Sequence, residues 1–200
     1  MATAAIVRMY VRNARNREEV WLLDHIEAMA LDAAAFRSRD YVIAIDESGN
    51  EKVGFGRIRI HRADERVCEL TGIGVLEGWR GQGVGAHVIE RLVDRASDEG
   101  FATVYSLTDQ PRYLDRFGFD RIDREELPAK IETRLDEKRD GSVPDAVPLA
   151  LATDEFSMPE ALRERFKHAS PVGEGDGEPE ETPEDFGIDS ENATYKYDTR

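Results

Sequence analysis

Cysteine occurs once in the 200 residues, at Cys68, so the chain has no internal disulfide, and its four histidines offer no zinc-ligand spacing. Disulfide-built and zinc-built folds are excluded. Long apolar runs are missing too. No stretch approaches the ~20 residues of a membrane-spanning helix, and the opening MATAAIVRMYVRN lacks the basic-then-apolar pattern of a secretory leader. These absences predict a cytoplasmic protein with no membrane partner. Positive charge is scarce, with 27 basic residues against 42 acidic and a formal net charge of −15. Such a surface repels a phosphate backbone, which argues against nucleic acid as a partner. Lysine is the scarcest cation, 5 against 22 arginines. A surface rich in Asp and Glu but poor in Lys predicts adaptation to concentrated salt, or simply an acidic protein from an arginine-rich genome.

The residues present are 40% hydrophobic, a globular proportion. AAIVRMYV (4–11) reads as a strand. Residues 17–32 place Val20, Leu23, Ile26, Glu27 and Ala30 near helical spacing behind a candidate cap at Asn16. YVIAIDE (41–47), the turn Ser48-Gly49-Asn50 and KVGFGRIRIH (52–61) read as a hairpin, followed by an antiparallel strand over 66–76. Gly72 and Gly74 within that strand predict a bulge or a close backbone approach. A helix from about Val84 to Glu99 aligns Val84, Val88, Ile89, Leu92 and Val93 and stops at Gly100. Strands over 101–107, 119–122 and 147–151 and helices over 111–117 and 159–168 complete the order. Strand, helix and strand in alternation imply parallel pairing. The expected fold is therefore α/β (α+β), a mixed sheet with an antiparallel N-terminal meander and a parallel βαβ half, flanked by helices.

Residues 1–169 are expected to form the domain, and residues 170–200 an acidic, largely disordered tail. Residues 171–200 carry ten acids against Lys196 and Arg200, with too little apolar content to offset chain entropy. Phe186, Ile188, Tyr195 and Tyr197 are apolar exceptions that could dock on a sheet edge or a second subunit, which leaves a homodimer open.

WRGQGVGAH (79–87), between a strand and a helix, is the strongest local signal. Glycines at 81, 83 and 85 let backbone N–H groups converge, and the helix N-terminus adds partial positive charge, so the loop suits a phosphate or pyrophosphate. Gly81, Gly83 and Ala86 also fit G-x-G-x-x-G/A, with Asp109 about 23 residues on, the dinucleotide fingerprint of an oxidoreductase. That fingerprint belongs after the first strand of a βαβ unit, whereas here three antiparallel strands come first.

Arg80-x-x-Gly83-x-Gly85 resembles the acetyl-CoA signature Q/R-x-x-G-x-G/A of the GNAT superfamily of N-acetyltransferases, and the order of elements is similar over about residues 4–152. The resemblance implies acetyl-CoA as co-substrate, held by Arg80, Gly81, Gln82, Gly83, Val84, Gly85 and Ala86, with the backbone of Ile73 and Val75 against the pantetheine arm. It implies acetyl transfer to the amine of a small molecule by direct attack. Glu69, 11 residues before Arg80, matches the strand-borne general base of some members, for which a half-buried carboxylate with a raised pKa is the expected form. Its alternative is a strand glutamate that orients substrate.

In the family block F-Y-E-x-L-G-F the tyrosine protonates the leaving thiolate. Here the block reads Tyr113-Leu114-Asp115-Arg116-Phe117-Gly118-Phe119, so Leu114 stands at the tyrosine position and Tyr113 lies ~100° round the helix. Tyr113 is thus a candidate catalytic residue or a packing residue, with water as the other proton source. Residues 104–128 resemble the subgroup containing the acetyltransferase domain of N-acetylglutamate synthase, through Leu107-Thr108, Tyr113-Leu114, Gly118-Phe119 and Leu127-Pro128. That resemblance implies an amino-acid acceptor, whose carboxylate would take Arg57, Arg59 or Arg112, each also readable as a surface arginine. Two other readings stand: a GNAT-fold module that holds CoA without turnover, and the nucleotide-dependent oxidoreductase.

Overall fold

A computed structural model describes residues 9–62 and 64–171. Residues 4–8 of the expected first strand, and the tail from 172 on, lie outside the described residues. The elements run β1 (Met9–Asn13), α1 (Glu19–Ala28), β2 (Tyr41–Asp46), β3 (Glu51–Arg62), β4 (Arg66–Val75), α2 (Val84–Asp98), β5 (Thr103–Thr108), α3 (Pro111–Asp115), β6 (Asp120–Arg121), α4 (Ala129–Asp140), β7 (Val147–Ala152) and α5 (Glu160–Lys167). They build one seven-stranded sheet in the order β1-β2-β3-β4-β5-β7-β6.

Strand alternation sorts the core into two faces. Val42, Ala44, Cys68 and Leu70 point to the side covered by α2, whose Val88, Ile89, Leu92 and Val93 are buried against them as their spacing predicts. Each such side chain contributes ~1.5–3 kcal/mol when fully buried. Tyr41, Ile43 and Phe55 point to the opposite side, against Leu22 and Ile26 of α1. Val67 and Leu107 share that side with Ile131 and Leu135 of α4.

Two expectations need correction. The inward face of α1 is Leu22 and Ile26, while Val20 is 69% exposed and Leu23 37%. Val-Trp-Leu-Leu spreads apolar residues around the helix, so spacing alone does not choose the buried stripe. The parallel half is also smaller than expected. β4 and β5 form the sheet's one parallel pair among the described residues, because β7 inserts between β5 and β6 and runs antiparallel to both.

Opposite Gly56 of β3, β4 carries two residues, Gly72 and Ile73, since Phe55 pairs with Gly74 and Arg57 with Thr71. This is the expected bulge, and Gly72 supplies its φ of +61°. The bulge begins two residues beyond Leu70, the last β4 residue paired with β5.

Candidate active site

The pairing of β4 with β5 covers three residue pairs, Cys68–Val104, Glu69–Tyr105 and Leu70–Ser106, and then stops. Beyond it the strands part, and the backbone of Ile73–Val75 has β3 on one side and an open cleft on the other. Lys138 of α4 sits in the fork. Its Nζ donates to the Leu107 carbonyl of β5 at 3.0 Å and to Thr71 Oγ1 of β4 at 3.3 Å.

The cleft opens into a cavity of about 440 Å³. Its walls are Ile73, Gly74 and Val75 of β4, Ala28 at the end of α1 with Met29 and Leu31 just beyond it, the loop residues Trp79, Arg80, Gly81 and Gly83, Val84 and Gly85 at the start of α2, Tyr113 and Arg116, and Leu162 and Arg165 of α5. Seven of the nine expected cofactor residues therefore line one cavity: Ile73, Val75, Arg80, Gly81, Gly83, Val84 and Gly85. The other two do not. Ala86 is fully buried in the core, and Gln82 turns its amide toward Gly78 O and Ser170. Gly83 holds φ +77° as the residue before α2, and Arg80 Nε donates to Val75 O at 3.2 Å, which lays the arginine across the mouth of the fork.

A larger cavity, about 720 Å³, lies between α1 and α4 and is lined by Leu23, Ile26, Glu27, Asp32, Arg134, Glu137 and Lys138 among others. The two cavities meet at Leu31, which lines both.

Glu69 lines neither. It is fully buried, on the α4 side of the sheet, with His61 Nε2 donating to its Oε2 at 2.8 Å, Arg134 Nε at 3.4 Å and Lys138 Nζ 3.5 Å from Oε1. Oε1 is buried without a hydrogen bond. Burial by itself pushes the carboxyl up, but the His61 hydrogen bond and the Lys138 and Arg134 charges outweigh it and hold the pKa at about 2. The expected half-buried carboxylate with a raised pKa is thus corrected: Glu69 is a fixed anion at the centre of a cation cluster. The Lys138 ammonium is pushed down by its own burial, against the pull of Glu69.

Leu114, at the family's tyrosine position, is buried in the core, and the adjacent side chain, Tyr113, faces the cavity. The Tyr113 hydroxyl lies 3.1 Å from where a Cβ on Gly85 would stand, and its ring packs edge-on to Phe117. The one-residue offset therefore brings Tyr113, rather than its neighbour, to the cavity wall. Cys68 is fully buried on the face opposite Glu69, as expected, and burial pushes its thiol up to about 12.

Of the three arginines weighed for a carboxylate, Arg57 is buried and donates to Ala34 O and Tyr41, and Arg112 is exposed. Arg59 stands 3.7 Å from Asp32, with its Nη1 buried and lacking a hydrogen bond. The cations that border the larger cavity, Arg134 and Lys138, lie on α4, an element absent from the sequence reading. The spacing of Ile131 and Leu135 between Pro128 and Gly141 is the signal that could have found it.

The Acetyltransferase (GNAT) family model matches residues 4–119, and the chain belongs to this family. The loop follows the fourth strand of an antiparallel meander, which removes the dinucleotide-fingerprint reading. An uncharacterized N-acetyltransferase of Chlorobaculum tepidum is 32% identical over 66 residues, 33% of this chain and 43% of that protein. Among solved structures, N-acetylglutamate synthase from Neisseria gonorrhoeae, complexed with coenzyme A and N-acetyl-glutamate, is similar with TM-score 0.59 and 16% identity, over 73% of this chain and 35% of that one. Rv2747 from Mycobacterium tuberculosis, in complex with CoA and NLQ, is similar with TM-score 0.60 and 19% identity, over 72% of this chain and 98% of that one. At such identities these likenesses establish the fold. The chain spans less than half the length of the Chlorobaculum and Neisseria proteins.

Proposed function

We propose that the protein is an acetyl-CoA-dependent N-acetyltransferase that acetylates the amine of a small molecule by direct attack. The observation that carries this reading is the pair of cavities meeting at Leu31 beside the fork. The smaller, with the glycine loop and the exposed β4 backbone, takes acetyl-CoA, and the larger takes the acceptor. The acceptor nitrogen attacks the thioester carbonyl carbon, the C–N bond forms, and the tetrahedral intermediate collapses with cleavage of the C–S bond. The nitrogen gives up its proton and the thiolate gains one. Bringing two substrates to one fork supplies much of the rate by proximity.

Tyr113, the tyrosine on the wall of the smaller cavity, is the proposed proton donor to the thiolate. Glu69 enters as a positioning residue rather than as the base, because a carboxylate held near pKa 2 by the His61 hydrogen bond and the Lys138 and Arg134 charges keeps a proton poorly. It orders Arg134 and Lys138 along the floor of the acceptor cavity, and the amine proton leaves to water. Those two cations are engaged by Glu69, Asp32 and Glu137, so an acceptor carboxylate, as in an amino acid, would take Arg59, whose buried Nη1 lacks a hydrogen bond, while the wall's own carboxylates suit the acceptor's amine. The Neisseria neighbour, crystallised with N-acetyl-glutamate, supports that class.

The test is calorimetric titration with acetyl-CoA, followed by a CoA-release assay over a panel of amines with and without carboxylates. Absence of acetyl-CoA binding overturns the reading. Binding without turnover of any amine favours the second reading, a CoA-holding module, which the depressed carboxyl of Glu69 and the leucine at the family's tyrosine position keep in view.

A further inference from the structure

Beyond residue 119, where the family match ends, the chain adds α5 and lays it on the glycine loop. Three contacts seat it. The Gln82 side-chain amide donates to Ser170 O and accepts from Ser170 N, both at 2.8 Å. The Phe166 ring stacks on His87 of α2, with centroids 3.7 Å apart and planes within 10°. At Gly83 the chain approaches so closely that a Cβ would stand 2.3 Å from the Leu162 carbonyl oxygen.

Once seated, α5 turns Leu162 and Arg165 into the smaller cavity. Arg165 Nη1 is 3.5 Å from the Gly81 carbonyl oxygen, a long contact that holds the guanidinium beside the loop. The charge of this cavity is out of keeping with the rest of the chain. In a protein with 42 acidic residues and a net charge of −15, the described residues of its lining include three arginines, Arg80, Arg116 and Arg165, and no aspartate or glutamate. The larger cavity, by contrast, has Glu27, Asp32 and Glu137 in its wall. Guanidinium groups gathered at a glycine loop that opens a helix match a phosphorylated ligand in both charge and fork geometry.

We propose that α5 is a wall of the cofactor site and that Arg165 is a direct ligand of a CoA phosphate. The inference rests on the acetyl-CoA reading and extends the phosphate site from the signature loop to a helix the family model does not cover. Leu162 and Phe166 fix the helix, and Arg165, one turn beyond Leu162, reaches the anion.

Calorimetry with Arg165→Ala, Arg165→Lys and Arg163→Ala tests this with two ligands, CoA and pantetheine, the second having no phosphate. Arg163 pairs with Glu90 and lines neither cavity, so its loss serves as the control on the same helix. Arg165→Ala is expected to weaken CoA by about tenfold or more, the worth of one charge-assisted hydrogen bond, with pantetheine unchanged. Arg165→Lys should recover part of the loss and Arg163→Ala should bind as the parent does. With dephospho-CoA, a persisting loss assigns Arg165 to the pyrophosphate and a vanished one to the 3′-phosphate; either supports the proposal. Unchanged CoA affinity in Arg165→Ala, or an equal loss for pantetheine, overturns it. Failure of the unaltered protein to bind CoA would sink the acetyltransferase reading instead, so the two failures are distinguishable.

Discussion

Lys138 Nζ bonds the Leu107 carbonyl at 3.0 Å one residue past the last β4–β5 pair, so an α-helical side chain closes the gap that the two strands leave open. Its other contacts, Thr71 Oγ1 and the Glu69 carboxylate, belong to the opposite strand. Lys138→Met keeps the length of the stem but removes the donor from both strands and one cation from a buried anion. The expected cost is about 2–3 kcal/mol in urea unfolding, below the figure for an ion left wholly unpaired because Arg134 and His61 remain. A change under 0.5 kcal/mol would show that the fork holds without this bridge.

Glu69 ties part of the acid stability to one fully buried carboxylate. Its folded pKa of about 2 lies below the ordinary carboxylate value, so its contribution is fully present above about pH 4.5 and is lost as pH falls from there toward 2. The shift corresponds to about 3 kcal/mol at neutral pH. Unfolding free energies measured from pH 6 to pH 3 should fall more steeply in the parent than in Glu69→Gln, which is less stable at pH 6 but flatter. A positioning role further predicts that the activity lost in Glu69→Gln is not recovered at high pH, whereas a missing general base would be partly replaced once the amine is neutral.

Tyr113→Phe separates a proton donor from a packing ring. With Tyr113 on the cavity wall and Leu114 in the core, kcat is expected to fall about 10–100-fold with little change in KM for acetyl-CoA. That sits at or below the usual range for a positioned acid, since a thiol of ordinary pKa needs modest help to leave. A loss of less than twofold would give the proton to water.

Gly83 and Gly85 should answer differently to the same methyl group. At Gly83 the positive φ disfavours any side chain, and the atom in the way is a backbone carbonyl that cannot swing aside. Gly83→Ala should therefore cost about 2 kcal/mol or more and loosen α5. At Gly85 the nearest atom is the Tyr113 hydroxyl at 3.1 Å, the mobile end of a side chain. Gly85→Ala should be within about 1 kcal/mol of the parent. Equal thermal midpoints for the two variants would refute the distinction.

The parts of this molecule that local chemistry dictates were legible in its sequence. The apolar spacing of α2, the hairpin turn at Ser48–Asn50, the bulge at Gly72 and the glycine loop each follow from residues within a few positions of one another. What escaped was set by distant chain. Glu69 looks like an ordinary strand glutamate until Arg134 and Lys138 arrive from 65 and more residues away and reverse the direction of its pKa shift. Those residues were hidden because α4, AKIETRLDEKRD, has two large apolar side chains in twelve residues and so no continuous stripe to advertise a helix. Tyr113 was a candidate in the sequence beside a packing role, and only its direction escaped. A pattern fixes the order of residues, while the start of α3 at Pro111 fixes which of two neighbours turns toward the cavity.

The seam between β4 and β5 is three residue pairs long, although the strands on either side of it have ten and six residues. Mechanically the sheet is two panels joined by a short hinge, with β1 to β4 in one and β5, β7 and β6 in the other. A pantetheine arm lying along Ile73–Val75 would act as a splint, lengthening the seam with backbone hydrogen bonds that the chain does not make for itself. The free energy of cofactor binding would then act at this short seam rather than be spread over the fold. Motions that flex the panels against each other would be stiffened by cofactor, while the interior of either panel would be left much as it was.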